Sequence, residues 1–298
     1  MDFSVAQMHR IADEVARQAK KTSQAKVANR ARVSAAIINQ IINKKWSTIS
    51  VDMFKSIEVN LRMDFSWKSA PTSNLLLLTQ LIKNAHDNSI SIAISENAGR
   101  GKTHAYRQYV KNHDNVIHLE CANSWTKKSY MKHLMAAAGL NNSGTLEFLV
   151  ETFIKKLKGM HRPIVIIDQF DKLKDSQMDL FMDFYNELDG YCAFVLSGVK
   201  ALEKRVMNGV NRDKIGYAEM YSRIGRKFIG LDPISKSDVR KVCNANDIFD
   251  AETIGYIYAN SDGDMRRVKR DIEIQQQIMA KAINEITVQE FQEVGEPA

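Results

Sequence analysis

The sequence predicts an α/β chain: a mostly parallel sheet with helices between its strands, one all-helical module before it and another after it. Three observations carry that prediction. Between residues 89 and 198, β-branched and aliphatic runs alternate with stretches of helical period. One run ends in a glycine-containing turn, Glu96-Asn97-Ala98-Gly99-Arg100-Gly101-Lys102-Thr103, that opens into a helix-compatible segment, His104 to Lys111. Residues 1–65 and those from Leu231 onward read as helical.

Composition bounds the rest. The chain has 298 residues, 44% hydrophobic and 26% charged, which is globular material with room for about two domains. Four prolines and fourteen glycines exclude long low-complexity segments. No apolar run approaches the ~20 residues of a membrane span, and the N-terminus has no signal-like apolar core. Leu75-Leu76-Leu77-Leu78 is too short to span and reads as a buried helix turn. Cys121, Cys192 and Cys243 are widely spaced without a metal-ligand pattern, as in the reduced core of a cytoplasmic protein. Residues 1–65 hold eleven Lys/Arg against six Asp/Glu, a net +5 out of the chain's +7, which points that module at a polyanion.

Within residues 1–65, Val5, Met8, Ile11, Ala12 and Val15 recur at helical spacing. Ser23 and Ser34 can cap two short helices separated by a tight turn, with Val27, Ala28, Val33, Ile38 and Ile41 packing them together. The pair resembles the helix-turn-helix of phage repressors, whose second helix enters the major groove of double-stranded DNA. Its outward residues are Ala35, Ala36, Asn39, Gln40 and Asn43. Asn and Gln suit adenine edges, and Arg32, Lys44 and Lys45 suit phosphates. A three-helix module for protein contacts fits the same residues.

Residues 66–73 contain a proline and several Ser/Thr with little periodicity, and read as a linker. A core domain spans residues 74–230. A helix from Leu75 to Ala85 leads to the run Ser89 to Ser95, then to the glycine turn. Strand, Gly-x-Gly-Lys-Thr, helix is the layout of a phosphate-binding P-loop. Backbone N–H groups of Asn97, Ala98, Gly99, Arg100 and Gly101, with Lys102, Thr103 and His104 at the helix start, would surround the phosphates. Lys102 would sit on the β/γ-phosphates, and Thr103 would ligate Mg²⁺. Glu96 holds the place where the full pattern has glycine.

The run Ile164-Val165-Ile166-Ile167-Asp168 reads as a strand buried on both faces, with a carboxylate at its C-terminal edge to hold the Mg²⁺ shell, partly through water. An AAA+ ATPase normally has glutamate at the next place, polarising the attacking water. Gln169 orients water but is no base, so nucleotide binding survives and hydrolysis is slow or blocked. Poor native hydrolysis and a deliberate Glu→Gln change both explain it. Further strands are Val116–Cys121 and Tyr191–Gly198, and further helices Tyr130–Ala138, Leu146–Lys158 and Gln177–Leu188. Residues 231–298 read as a helical lid: Ser235–Ala245, Ala251–Ala259, Arg266–Ile283 and a last short helix from Val288.

Four blocks then carry a family resemblance: Ile167-Asp168-Gln169-Phe170-Asp171-Lys172-Leu173, Leu196-Ser197-Gly198-Val199-Lys200, Tyr221-Ser222-Arg223-Ile224-Gly225-Arg226-Lys227 and Asp262-Gly263-Asp264-Met265-Arg266-Arg267. In this order they resemble the family of phage Mu transposition protein B, AAA+ ATPases that partner DDE transposases. The resemblance covers nearly the whole chain, the helix-turn-helix included. It implies a P-loop AAA+ core between a helix-turn-helix domain and a C-terminal lid, with ATP and Mg²⁺ as cofactors.

It further implies Lys102, Asp168, Gln169 and Arg223 as the catalytic set, with Arg223 as an arginine finger acting on a neighbour's nucleotide and Arg226 as the alternative. Arg266 would be a sensor-2 arginine. Ser197 falls at the sensor-1 place, where Val199 stands for the usual polar residue. The loop Asn123-Ser124-Trp125-Thr126-Lys127-Lys128 would track DNA through Thr126, Lys127, Lys128 and an exposed indole. The implied protein self-associates into a helical filament or ring on duplex DNA and activates a transposase in the bacterial or phage-infected host cytoplasm. An ATP-regulated transcriptional regulator and a helicase-loader-like AAA+ protein are the alternatives.

Overall fold

The computed structural model describes residues 4–63, 65 and 67–293. Four helices come first: α1 (Val5–Lys21), α2 (Gln24–Ala31), α3 (Ala35–Ile42) and α4 (Val51–Asn60). Each begins on a serine. Ser4, Ser23, Ser34 and Ser50 accept from the backbone N–H three residues on, satisfying a donor the helix itself leaves free. Arg32 ends α2 in the left-handed region at φ 58°, which turns the chain into α3. Ile11, Val15, Val27, Ile38, Ile41, Phe54 and Ile57 make one buried cluster. The sequence reading did not resolve α4, whose period is blurred by Val59, 72% exposed.

The core follows as α5 (Ser73–Asn88), β1 (Ile92–Ser95), α6 (Lys102–Asn112), β2 (Val116–Glu120), α7 (Lys127–Ala137), α8 (Leu146–Lys158) and β3 (Ile164–Asp168). After a 3₁₀ turn come α9 (Asp175–Leu188), β4 (Ala193–Gly198), α10 (Lys200–Asn211), α11 (Tyr217–Arg223) and β5 (Phe228–Ile229). The sheet has the order β2-β3-β4-β1-β5 with every pairing parallel. Helices cover its faces, so β3 and β4 are buried at every residue. β4 lies between β1 and β3 and sets its own C-terminal end between the turn after β1 and Asp168. β5, two residues long, and α10 and α11 were not resolved in the sequence. The first strand starts at Ile92 rather than Ser89, because Ser89 sits at φ 53°.

Met1–Phe65, Leu77–Asn97 and Lys102–Gly230 form one compact unit; Ser66–Leu76, Ala98–Gly101 and Leu231–Ala298 form the other. In the second, α12 (Lys236–Ala245), α13 (Ala251–Ser261) and α14 (Met265–Glu293) enclose Val239, Val242, Ile254, Ile257, Val268 and Ile272. The stretch read as a linker is tied to these helices. Trp67 and Ala70 pack on their core. Lys68 N donates to Asn246 Oδ1 at 3.0 Å, Asn246 Nδ2 returns a bond to Lys68 O at 2.9 Å, and Ser73 N donates to Asp238 Oδ1 at 2.9 Å. Its weak periodicity therefore reflects irregular backbone held by side-chain polar groups. Two further expectations are corrected. The final helices run as one, Met265–Glu293, and of the leucine run Leu78 is buried while Leu76 and Leu77 are exposed.

Among the described residues no helix is long and apolar enough to cross a membrane, and Cys121, Cys192 and Cys243 are free and buried. His118 on β2 is half-buried, and its Nε2 atom is itself buried and unpartnered. Burial, opposed by Glu120 and reinforced by Arg107, Arg62 and Arg30, lowers its pKa from 6.5 to about 4. The unfolded chain takes up this proton near pH 6.5 and the folded chain only near 4. Stability is therefore full above pH 6.5 and falls by about 3 kcal/mol as pH drops to 4. Urea unfolding of wild type and His118→Phe between pH 7 and pH 4.5 checks this: the loss should be smaller in the variant, and equal slopes contradict it.

Candidate functional site

Lys102, the first residue of α6, is only 8% exposed. Its Nζ donates to the carbonyl oxygens of Glu96 at 2.6 Å and Asn97 at 3.0 Å, folding the ammonium back over the turn. The first N–H groups of a helix find no partner within it, and the end of α6 that Lys102 opens is of the kind that suits an anion. Beside it, Thr103 Oγ1 donates to Asp168 Oδ2 at 2.5 Å. Asp168 is 1% exposed, and its other oxygen accepts from Gln169 N at 2.9 Å and Ser197 Oγ at 3.1 Å. Tyr106 Oη donates to Ser197 Oγ at 2.8 Å and completes a buried chain. Burial raises the Asp168 carboxyl above the ordinary range, against the lowering effect of its bond from Thr103.

Such a buried carboxylate next to a hydroxyl fits a hard divalent cation. Magnesium takes one or two protein oxygens and fills its octahedron with phosphate and water. Among the described residues no group of three or more His, Cys, Asp or Glu competes for a metal.

Glu96, at the place of the missing glycine, is accommodated rather than open. Its carboxylate accepts from Asn97 N at 2.8 Å and lies 3.3 Å from Lys200 Nζ. Gln169 sits at φ 58° before the 3₁₀ turn, and its side-chain oxygen accepts from the Lys172 ammonium. Asn97 and Ala98 are exposed, and Gly101, with φ 86°, and His104 are half-buried.

In the second unit, Gly99 has φ 78°, and a Cβ there would stand 2.0 Å from Asp264 Oδ1. Only glycine meets both demands. Met265 N donates to Gly99 O at 2.9 Å, and Arg100 Nη1 donates to Gly263 O. Arg266 is exposed, with its backbone N–H bonded to Asp264 Oδ1 at 2.8 Å. Asp264, Met265 and Arg100 make the contacts between these segments; Asp264 lies in the fourth block of the resemblance, which gives it no role of its own.

Arg223 closes α11, half-buried over the Tyr185 ring at 5.0 Å and 3.3 Å from Glu219 Oε1. Arg226 is exposed at φ 53°. On the helix-turn-helix, Arg32, Ala35, Ala36, Asn39, Gln40, Asn43, Lys44 and Lys45 are all exposed. The amides steady one another: Asn43 Nδ2 donates to Asn39 O at 2.9 Å, and Asn39 Nδ2 to Gln24 Oε1 at 3.3 Å. Thr126 caps α7 by accepting from Ser129 N at 3.1 Å; Lys127 is half-buried and Lys128 exposed. Trp125 corrects the expectation of an exposed indole. It stacks on His133 at 4.2 Å between centroids and packs against the main core.

A further group escaped sequence reasoning. Glu120 ends β2 opposite Asp168 in register. It accepts from Arg107 Nε at 2.9 Å and Nη2 at 3.0 Å, and pairs with Arg62 of the N-terminal module. Burial raises its carboxyl, yet the two guanidinium groups hold it below the ordinary range. Arg107 lies on the helix that Lys102 opens, so one carboxylate ties the N-terminal module to that helix. Residues so distant in sequence leave no spacing signal.

No curated protein matches the chain. Residues 86–206 match the family described as AAA domain, a span running from the end of α5 through β1, α6, β3 and β4 into α10. The parallel sheet, the helix opening at Lys102, the carboxylate closing β3 and this match together identify residues 86–206 as an AAA domain of the AAA+ ATPase type.

Proposed function

We propose that the chain is an ATP-dependent DNA-binding protein that assembles on duplex DNA, selects it as a target and activates a DDE transposase, as its resemblance to the phage Mu transposition protein B family implies. The observation that carries the reading is the meeting of Lys102, Thr103 and Asp168 in the unit that also exposes a helix-turn-helix face. Lys102 would exchange its two carbonyls for phosphate oxygens, and Thr103 and Asp168 would hold Mg²⁺, partly through water. Arg223 would leave Glu219 for the γ-phosphate of a neighbouring copy, so that nucleotide completes the joint between subunits. Arg266 would report from the lid, and Ser197 from the carboxylate it touches. Loss of the γ-phosphate removes that joint and favours release from DNA. Phosphate contacts from Arg32, Lys44, Lys45, Thr126, Lys127 and Lys128 make binding salt-dependent and largely indifferent to sequence.

The steadied Asn39 and Asn43 amides favour one second reading, an operator-binding regulator, since amides read adenine edges. Electron microscopy of the protein with ATP, Mg²⁺ and random-sequence duplex separates the two. Continuous filaments or rings on the DNA are expected. Discrete dimers restricted to selected sequences sink the proposal, as do rings that form only with a helicase.

A further inference from the structure

We propose that the outer face of α7 is a phosphate-binding ridge joining the helix-turn-helix to the 123–128 loop, so that both grip a single duplex. The inference rests on the DNA-binding reading above and gives it a site. Its basis is a juxtaposition. The two longest stretches of the chain without Asp or Glu are residues 15–51 and 121–146. The first contains α2 and α3, the second contains α7, and the fold packs α2 against α7. The contact is close: the Lys26 stem lies where a Cβ on Gly139, just past α7, would stand, at 2.8 Å.

This packing sorts the basic residues into two sets. Arg62 pairs with Glu120, and Lys21 donates to Lys111 O, so both are spent on the core. Arg32, Lys128 and Lys132 remain exposed, and among the described residues they form no ion pair. Lys128 and Lys132 are one turn apart on α7, about 6 Å along its axis. His133 comes next; burial first, and the Arg32 charge after it, hold its imidazole below the ordinary range. The His133 ring also carries the stacked Trp125, whose carbonyl accepts from Gln177 Nε2 at 2.5 Å. The loop is thereby fixed to the ridge, and positive charge runs from Lys128 through Lys132 to Arg32 and on to α3. No large apolar side chain is exposed on α2, α3 or α7. A protein partner would want such an anchor, whereas a phosphodiester backbone needs only spaced cations.

Fluorescence anisotropy of the full chain with ATP, Mg²⁺ and a random-sequence duplex of about 20 base pairs, read across salt concentration, tests this. Each lost phosphate contact lowers the slope of log K against log salt by about 0.9. Lys132→Ala should lose about 0.9, and Arg32→Ala with Lys132→Ala about 1.8. Lys236→Ala, an exposed lysine on α12, should lose nothing. Photo-crosslinkers placed at Ala36 and at Lys132 should both capture the labelled duplex. Wild type that binds while Lys132→Ala keeps its full slope overturns the ridge and leaves the DNA-binding reading standing. Wild type without duplex affinity overturns both. Capture of polyglutamate in preference to duplex at Lys132 assigns the face to an acidic protein, and overturns the ridge as well.

Discussion

Gln169→Glu raises ATP turnover by about 10²- to 10⁴-fold, the range a positioned general base supplies. In the proposed site Lys102 would serve the phosphates, Thr103 and Asp168 the Mg²⁺, and residue 169 the attacking water, with Arg223 supplied by a neighbouring copy. An amide accepts a hydrogen bond from water but cannot take its proton. Lys172 sets where in the range the gain falls. It already holds the Gln169 oxygen, and against a carboxylate it would form an ion pair that lowers basicity. The single variant therefore belongs near the lower end, and adding Lys172→Ala moves it up. Phosphate release under saturating ATP measures both. A flat response in both variants places the defect elsewhere, with Val199 at the sensor-1 place the next residue to change.

Lys102→Ala removes nucleotide binding and, with it, every ATP-dependent property. The ammonium already makes two bonds to carbonyl oxygens in a nearly buried site, and on binding it would exchange them for charged phosphate oxygens. Bonds to charged groups contribute about 1.5–3 kcal/mol each, so losing two weakens affinity at least about 10²-fold. The fold should survive, because alanine is a strong helix former and Lys102 is the first residue of α6. Titration with a fluorescent ATP analogue, beside circular dichroism to verify folding, gives the answer. A folded Lys102→Ala protein with wild-type affinity removes the P-loop from the account.

How legible this was depended on how local the signal is. The turn after β1, the buried strand ending at Asp168 and the serine-capped helices were readable because period, capping and glycine placement act within a few residues. β5 was not, since two residues cannot establish a period. Segment 66–73 looked free because its partners, Asn246 and Asp238, lie far along the chain. Trp125 looked exposed for the same reason: His133 covers it from the next two turns, and Gln177 from another helix. In the candidate site, residue types were legible, but the Tyr106–Ser197–Asp168 chain and the Glu120 clamp exist only once the sheet aligns β2, β3 and β4.

Nucleotide held by Lys102 and Thr103 is proposed to control assembly on DNA. Sedimentation velocity of the wild-type chain with random-sequence duplex, with and without ATP and Mg²⁺, tests it most directly. Large DNA-bound assemblies with ATP, reverting to small species without it and absent in Lys102→Ala, are the predicted result. Identical sedimentation in the presence and absence of ATP contradicts the claim.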